Sequence, residues 1–227
     1  MMKTILVVAA HPDDEVLGCG GTIARFCESA AIHILILGEG CTSRYDSRSE
    51  ASKVELERIG KAARSAAKVL GAQSITLASF PDNQFDEPPL LSIVKCVEKV
   101  LDEIRPDVVY THHPSDLNID HKITFQAVLT ATRPLPNCSV KELYTFETPS
   151  ATEWSFHQNH PVFKPNVFID VSQSIEKKLQ AMEFYDTEIR SFPHPRSLEA
   201  LKAICRRWGT VVSREYVEAF ELVRWVG

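Results

Sequence analysis

The first apolar segment of the chain is an unbroken run, residues 4–10 (TILVVAA). Continuous β-branched runs are typical of strands that are buried on both faces of a parallel sheet. Similar patterns predict strands at 32–37, 74–78 and 107–111, and amphipathic helices at 16–30, about 51–70, 90–104 and about 121–133. This alternation of strands and helices predicts right-handed β-α-β units and a parallel sheet.

The later part of the chain has a different pattern, with strands expected at 140–146, 166–171 and 214–225 and helices at 173–189 and 197–208. We expect it to extend the sheet and to form a wall of the site. The predicted fold class is α/β: an open, mostly parallel, Rossmann-like sheet with helices on both faces and a C-terminal extension. No linker rich in Gly, Ser or Pro divides the sequence, so we expect one domain over residues 1–227.

Composition narrows the functional classes. The net charge of −5 and the lack of a basic cluster argue against binding to nucleic acid or anionic membranes. The six cysteines contain no C-x-x-C pair, which argues against a disulfide scaffold or a thiolate zinc site. The N-terminal apolar run is too short for a signal sequence or a membrane span. We therefore expect a soluble, reduced, cytoplasmic protein with no membrane span.

Polar segments follow the predicted strands where each one ends. His11–Glu15 follows the first strand, residues 38–50 follow the second, and "HHPSDLNIDH" (112–121) follows the fourth. The carboxyl ends of parallel strands share one edge of a sheet, and ligands bind at this edge where the strand order reverses. We expect these polar loops to meet at such an edge.

Histidine and carboxylate side chains in these loops suit a divalent ion such as zinc. His11 and Asp14 are three positions apart in a tight turn, and His121 offers a third ligand. Asp13 is then placed to accept a proton from a water whose pKa zinc lowers to about 7. Hydrolysis of an amide or ester follows. The alternative for "HPDDE" is a turn that caps the next helix, and for the second loop it is a solvated loop with an Asp N-cap before a helix.

Two motifs carry a family resemblance. "AHPDDE-x-x-G-x-G-G-T" followed by "HPSDLNIDH" resembles the PIG-L/LmbE-like zinc-dependent N-deacetylases, and "FPDNQFD", "PHPRS" and "YVEAF" extend the similarity. The resemblance implies Zn²⁺, or another divalent ion, bound by His11, Asp14 and His121, with Asp13 as general base. It implies removal of an acyl group, mostly acetyl, from a glucosamine-type sugar. The expected partner is thus a small N-acylated amino sugar, and we also expect a homo-oligomer.

The second motif departs from the family at Asn118, where many members have histidine. An asparagine amide can donate to an oxyanion, a contribution of roughly 3–4 kcal/mol in a well-studied case. It cannot act as an acid, so the leaving amine must receive its proton from Asp13 or from another residue. We therefore treat Asn118 and Asp13 as the catalytic candidates.

Other candidates support these residues, although a structural or surface role competes for each of them. Supporting carboxylates are Glu15 and Asp120, the latter orienting His11 or His121. Second polar partners in the site, and candidates to bind sugar hydroxyls or an anionic part of the substrate, are His112, His113, His194, Arg44, Arg48, Asp82, Asn83 and Arg196.

A nucleotide-binding loop is disfavoured, and two alternative functions remain open. The stretch Gly18–Gly21 lacks the spacing of a nucleotide-binding loop, and we expect it to let the first helix pack closely on the sheet. The enzyme alternative is an amidase for a non-acetyl conjugate of a sugar amine. The non-enzyme alternative is a sugar- or metal-binding protein of the same fold.

Overall fold

Seven strands and six helices make up the computed structural model, which describes residues 2–45, 50, 52–158 and 161–227. The strands are β1 (Lys3–Ala9), β2 (Ala30–Gly38), β3 (Ser74–Phe80), β4 (Val108–His112), β5 (Glu142–Phe146), β6 (Val167–Asp170) and β7 (Val217–Trp225). The helices are α1 (Asp14–Phe26), α2 (Lys53–Leu70), α3 (Leu90–Ile104), α4 (Ile119–Ala131), α5 (Ile175–Met182) and α6 (Leu198–Val211).

The strands form one sheet in the order β3-β2-β1-β4-β5-β7-β6. The first five strands are parallel, and β7 runs antiparallel to both β5 and β6. The mostly parallel α/β sheet predicted from the sequence is therefore confirmed, and the later strands extend it. The strand order reverses between β1 and β4, so the loops that follow these two strands flank the crevice where ligands bind in such sheets.

Both faces of the sheet are covered by helices, which explains the unbroken apolar run of β1. Ile5 and Val7 pack in a core with α1, α2 and α5, whereas Leu6 and Val8 pack in a second core with α3 and α4. Successive side chains of a strand point to opposite faces, so a strand covered on both sides must be apolar at every position.

Some element boundaries differ from the sequence prediction. Helix α1 begins at Asp14 and ends at Phe26, because β2 already starts at Ala30. The helix predicted over 173–189 is α5, which ends at Met182. Beyond it the chain makes tight turns, such as the hydrogen bond from Tyr185 N to Met182 O, and these turns bury the Tyr185 side chain.

The glycines of α1 allow close packing, as the sequence led us to expect. A Cβ atom at Gly18 would lie 2.2 Å from the Phe146 ring, and one at Gly21 would lie 2.9 Å from Val171. A buried ion pair also contacts this helix: Lys178 Nζ lies 2.5 Å from Glu218 Oε1. Glu218 accepts from the backbone N–H of Gly21, so it stabilises α1. Among the helices described, none is long and apolar enough to cross a membrane.

Candidate metal centre and active site

The loop after β1 carries the first two candidate ligands. Asp13 adopts a φ of 109°, a conformation that is costly for a residue with a side chain. The turn closes with a hydrogen bond from Asp14 N to His11 O, and α1 then begins at Asp14. Residues 11–14 therefore turn sharply, which brings His11 and Asp14 to the same point at the carboxyl edge of the sheet.

Helix α4 brings the third candidate to this point. His11 Nδ1 and His121 Nε2 each lie 3.3 Å from Asp14 Oδ2. The ligand atoms of these three residues all lie within 4.8 Å of one another. The other carboxylate oxygen, Asp14 Oδ1, is buried and has no hydrogen-bond partner among the described residues. Two imidazoles and a carboxylate are the donor set of a catalytic zinc site, and one carboxylate oxygen here has no hydrogen-bond partner among the described residues. These residues therefore fit a divalent metal.

Each histidine of this cluster is held from behind by a carboxylate. His11 Nε2 donates to Asp120 Oδ2 at 2.8 Å, and His121 Nδ1 donates to Asp116 Oδ2 at 2.9 Å. These bonds leave His11 Nδ1 and His121 Nε2 directed at Asp14, an arrangement typical of metal-binding histidines. The sequence singled out Asp120, which contacts His11. It missed Asp116, although this residue stands five positions before His121 in the second motif.

The electrostatics of the cluster favour a cation. Burial lowers the pKa of His121, but the Asp14 charge and the Asp116 hydrogen bond outweigh it and raise this pKa to about 9. For Asp14, burial raises the pKa, but the neighbouring imidazoles, His121 first, bring it well below its usual range. A site that attracts a proton this strongly also attracts a metal ion, which binds with release of that proton.

His112 lies behind the cluster as a neutral ring. Its Nε2 accepts a hydrogen bond from Ala10 N at 2.9 Å, and its Nδ1 lies 3.1 Å from Thr148 Oγ1. Burial, together with the charge of His121, lowers the His112 pKa to about 4. The two rings stack with centroids 3.9 Å apart. His112 therefore packs against a candidate ligand and is not placed to supply a proton.

Asp13 is the carboxylate next to the cluster, and other side chains fix its position. Arg196 Nη1 donates to Asp13 Oδ2 at 2.9 Å. The Asp13 backbone N–H donates to Glu15 Oε2, and Tyr185 donates to Glu15 Oε1 at 2.6 Å. Burial raises the pKa of Asp13 and the Arg196 charge opposes this rise, with the net result well above its usual range. A buried carboxyl group of this kind can both accept and return a proton.

The sequence of this chain is similar to that of a known protein family. The sequence profile of the family described as "PIG-L: GlcNAc-PI de-N-acetylase" matches residues 6–132, which is more than half of the chain and includes both loops. The chain belongs to the PIG-L family. A curated relative, the diacetylchitobiose deacetylase of Thermococcus kodakarensis, is 27% identical over 98% of this chain and 84% of its own length.

Solved structures agree with this PIG-L assignment at the level of the fold. The conserved protein TT1542 from Thermus thermophilus has a TM-score of 0.76 at 26% identity, covering 100% of this chain and 97% of its own. GalB, the 4-carboxy-2-hydroxymuconate hydratase from Pseudomonas putida KT2440, has a TM-score of 0.75 at 22% identity, covering 100% and 98%. Since a hydratase shares the fold, the fold alone does not define the reaction.

In this member of the PIG-L family, Asn118 occupies the N-cap of α4. Its Oδ1 accepts from Asp120 N at 2.8 Å, and its Nδ2 donates to Asn83 Oδ1 at 2.9 Å. The side-chain amide nitrogen carries two hydrogens, of which this contact uses one. The cap of α4 is therefore Asn118 and not the aspartate that the alternative interpretation of this loop predicted.

The loop after β3 contributes polar groups to the same edge. Asp82 Oδ1 lies 3.1 Å from His11 Nε2, and Asp82 Oδ2 accepts from Ser43 Oγ at 2.5 Å. The Asn83 backbone N–H donates to Asp120 Oδ2 at 2.6 Å. Both residues therefore support the side chains behind His11. The backbone of Arg44 lies in a short 3-10 helix, Thr42–Arg44, but its side chain and all of Arg48 lie outside the described residues.

The remaining histidine candidates have other neighbours. His113 Nδ1 lies 2.7 Å from Ser115 Oγ, and its ring packs on Phe163. His194 Nδ1 accepts from Arg196 N at 3.1 Å, and its ring contacts Trp154. The structure thus brings Arg196 to Asp13 and places His194 beside Arg196. His113 is instead directed toward Ser115.

Proposed function

We propose that this chain is a zinc-dependent hydrolase that removes the N-acetyl group from an amino-sugar substrate. The observation that carries the proposal is the convergence of His11 Nδ1, Asp14 and His121 Nε2, with the Asp13 carboxylate next to them. Membership of the PIG-L family and the deacetylase among its relatives support the same reaction class.

His11, Asp14 and His121 would hold the ion, with Asp120 and Asp116 keeping the two imidazoles in the binding tautomer. When bound, a divalent ion supplies Lewis-acid polarisation of the acetyl carbonyl and lowers the pKa of water. The rest of the chemistry belongs to the side chains, since the nucleophile must lose a proton and the amine must gain one.

Asp13 is the residue we assign to both proton transfers. Its carboxylate takes the proton of the attacking water and returns it to the departing amine. Arg196 holds the carboxylate on one side, and Glu15 anchors its backbone N–H. Asn118 remains our candidate to bind the oxyanion, through the amide hydrogen that it does not give to Asn83.

We propose six side chains as the substrate-binding groups. Side chains that we assign to contacts with the sugar or its anionic part are Arg44, Asp82, Asn83, His113, His194 and Arg196. We further propose that residues 1–227 act as one domain and assemble as a homo-oligomer, which light scattering would measure. The lack of a C-x-x-C pair among the six cysteines supports the cytoplasm as the proposed compartment.

The test is an Asp13→Asn variant, which keeps the shape of the side chain and removes the base. Acetate release from N-acetylglucosamine conjugates should fall at least about 100-fold, while zinc content measured by mass spectrometry stays at one ion per chain. Asp102→Asn, an exposed change in α3, is the matched control and should leave both values unchanged. Activity of the Asp13→Asn protein within twofold of the wild type would refute the assignment.

The same panel separates the alternatives. Release of a longer acyl chain but not of acetate would indicate an amidase for another conjugate. Zinc and sugar binding without release of any acyl group would indicate a binding protein, and Asn118 in place of histidine is the feature that favours this outcome.

A further inference from the structure

A cavity of about 630 Å³ lies beside the candidate active site, between α6 and the segments 147–157, 163 and 192–195. Its size is within the range of pockets that bind small molecules, roughly 300–1,000 Å³. None of the roles assigned above uses it.

Three aromatic side chains contribute to the lining of this cavity. Phe163, Phe192 and Trp208 face it, and Ile204 and several prolines add aliphatic surface. The Phe163 and Trp208 rings meet edge to face, with centroids 6.4 Å apart. Phe192 is 58% exposed, so an aromatic surface is open to solvent at this position. Ring stacking and edge contacts on such walls favour a flat apolar ligand.

Polar and charged residues also line the cavity, and two of them, Glu147 and Arg207, are engaged by Trp208. The indole N–H of Trp208 donates to the Glu147 carboxylate, and the Arg207 guanidinium stacks 3.8 Å from the centre of the indole ring. These contacts hold the indole in one orientation. A pocket with rigid apolar walls and a few fixed polar groups is typical of ligand sites.

The cavity wall is joined directly to the catalytic residues. Pro149 and Pro195 line it, and their chain neighbours Ser150 and Arg196 are hydrogen-bonded to each other at 2.7 Å. Arg196 in turn donates to Asp13. The wall is therefore one residue removed from the side chain that contacts the proposed base.

A second connection runs to the metal cluster. Thr152 also lines the cavity, and its hydroxyl donates to Asp116, which orients His121. A substrate bound with its acetamido group at the cluster would therefore have the cavity within reach of its other end.

The loop that forms this wall is held in a costly conformation. Ser150, Phe156 and His157 have φ values of 73°, 47° and 58°, although none of them is glycine. Left-handed conformations of such residues cluster at ligand clamps and active sites, where the surrounding structure maintains them. Three such residues lie within residues 150–157, which indicates that this wall is part of a ligand-binding site.

We propose that the cavity binds an aromatic aglycone of the amino-sugar substrate, so that the sugar lies at the metal cluster and an aryl group packs against the exposed surfaces of Phe163, Phe192 and Trp208. This inference rests on the proposed function, because it assumes that an acylated sugar occupies the neighbouring site. It adds a substrate class: aryl glycosides, or conjugates with a comparable ring, in preference to the free sugar.

The first experiment measures binding without turnover. Phenyl β-D-glucopyranoside and methyl β-D-glucopyranoside lack the acylamino group, so they report the aglycone contact alone. Isothermal titration calorimetry on the full-length, metal-loaded protein should give a Kd at least tenfold lower for the phenyl glycoside. The second experiment compares kcat/KM for acetate release from the phenyl and methyl N-acetyl-β-D-glucosaminides, for which we expect the same ratio.

The decisive variant is Ala203→Trp, which fills the cavity from α6, where Ala203 lines it with an exposed side chain. The tenfold preference for the phenyl compounds should disappear, while values for the methyl compounds stay within twofold. Arg206→Trp puts the same indole on an exposed position of α6 outside the cavity lining and should keep the preference. If Ala203→Trp fails to fold, Phe163→Ala takes its place as the test variant. It removes one wall of the cavity and should reduce the preference for the phenyl compounds.

Equal Kd values for the phenyl and methyl glycosides would overturn the inference, and so would a preference that a folded Ala203→Trp protein retains. Failure of the proposed function has a different signature. In that case no acetate is released from either glucosaminide, whatever the binding ratio of the two glucosides.

Discussion

Replacing Gly18 with alanine adds one methyl group to α1 where Phe146 leaves no space. The new Cβ would lie 2.2 Å from Phe146 Cδ2 and 2.6 Å from Cγ. Phe146 is fully buried and packs against His112 at 4.8 Å between ring centroids, so the ring cannot move away freely. Overpacking of this kind costs about 1–3 kcal/mol.

Helix propensity opposes this cost, because alanine is better than glycine in a helix by about 1 kcal/mol. With an overpacking cost near its upper value of about 3 kcal/mol, the net loss is about 2 kcal/mol. For a chain of this size, 1 kcal/mol corresponds to a change in Tm of about 2–4 °C. We therefore expect Gly18→Ala to lower the Tm by about 4–8 °C in scanning calorimetry. Urea unfolding should also show that the variant is less stable than the wild type.

The matched control is Gly60→Ala in α2, the same substitution at another helical glycine. Its nearest neighbour would be Leu77 Cδ1 at 3.6 Å, an ordinary contact distance. Only the gain in propensity remains there, so the Tm should rise by about 2–4 °C. A Tm that rises for both variants would show that α1 can move away from β5, and it would refute the packing argument.

Three further predictions concern charged groups. Asp116→Asn should weaken zinc affinity about 10–100-fold in a competition assay, because the substitution removes the charge behind His121. Equal zinc affinity of this variant and of the Asp102→Asn control would contradict the prediction. Lys178→Met should cost about 3–5 kcal/mol in urea unfolding, since it leaves the Glu218 carboxylate buried without its cation; a loss under about 1 kcal/mol would count against this account. Burial raises the Glu147 pKa from 4.5 to about 7, so the fold favours the protonated form, and stability present below pH 4.5 is lost as the pH rises through 7. That loss is about 3 kcal/mol. Glu147→Gln should remove this part of the pH dependence, and an unchanged profile would argue against a raised pKa.

The sequence was most informative where local pattern and burial coincide. The apolar run of β1 indicated both the strand and its burial on two faces, because a strand covered on both sides needs an apolar residue at every position. The end of α5 was not predictable in this way. Residues 183–189 continue a helical pattern, but Tyr185 is pulled into a turn by a hydrogen bond to Glu15, which lies 170 positions away.

The residues of the candidate site also fall into those that the local sequence predicts and those that depend on distant parts of the chain. The convergence of His11, Asp14 and His121 could be predicted, because two short motifs place them in loops that parallel strands bring to one edge. Asp116 was missed because its hydrogen bond to His121 depends on the path of the loop between β4 and α4. The contact between Asp13 and Arg196 joins residues 183 positions apart, and nothing in either local segment specifies the partner. Their roles in catalysis stay predictions until the variants are measured.

The position of β7 has a consequence for how the chain reaches its final form. This strand, Val217–Trp225, inserts between β5 and β6, and β6 has no other neighbour in the sheet. During synthesis, the edge of β5 that faces away from β4 therefore stays unpaired until residues 217–225 have left the ribosome. Nascent chains stalled before β7 should be the species that chaperones recognise and that self-associate most readily.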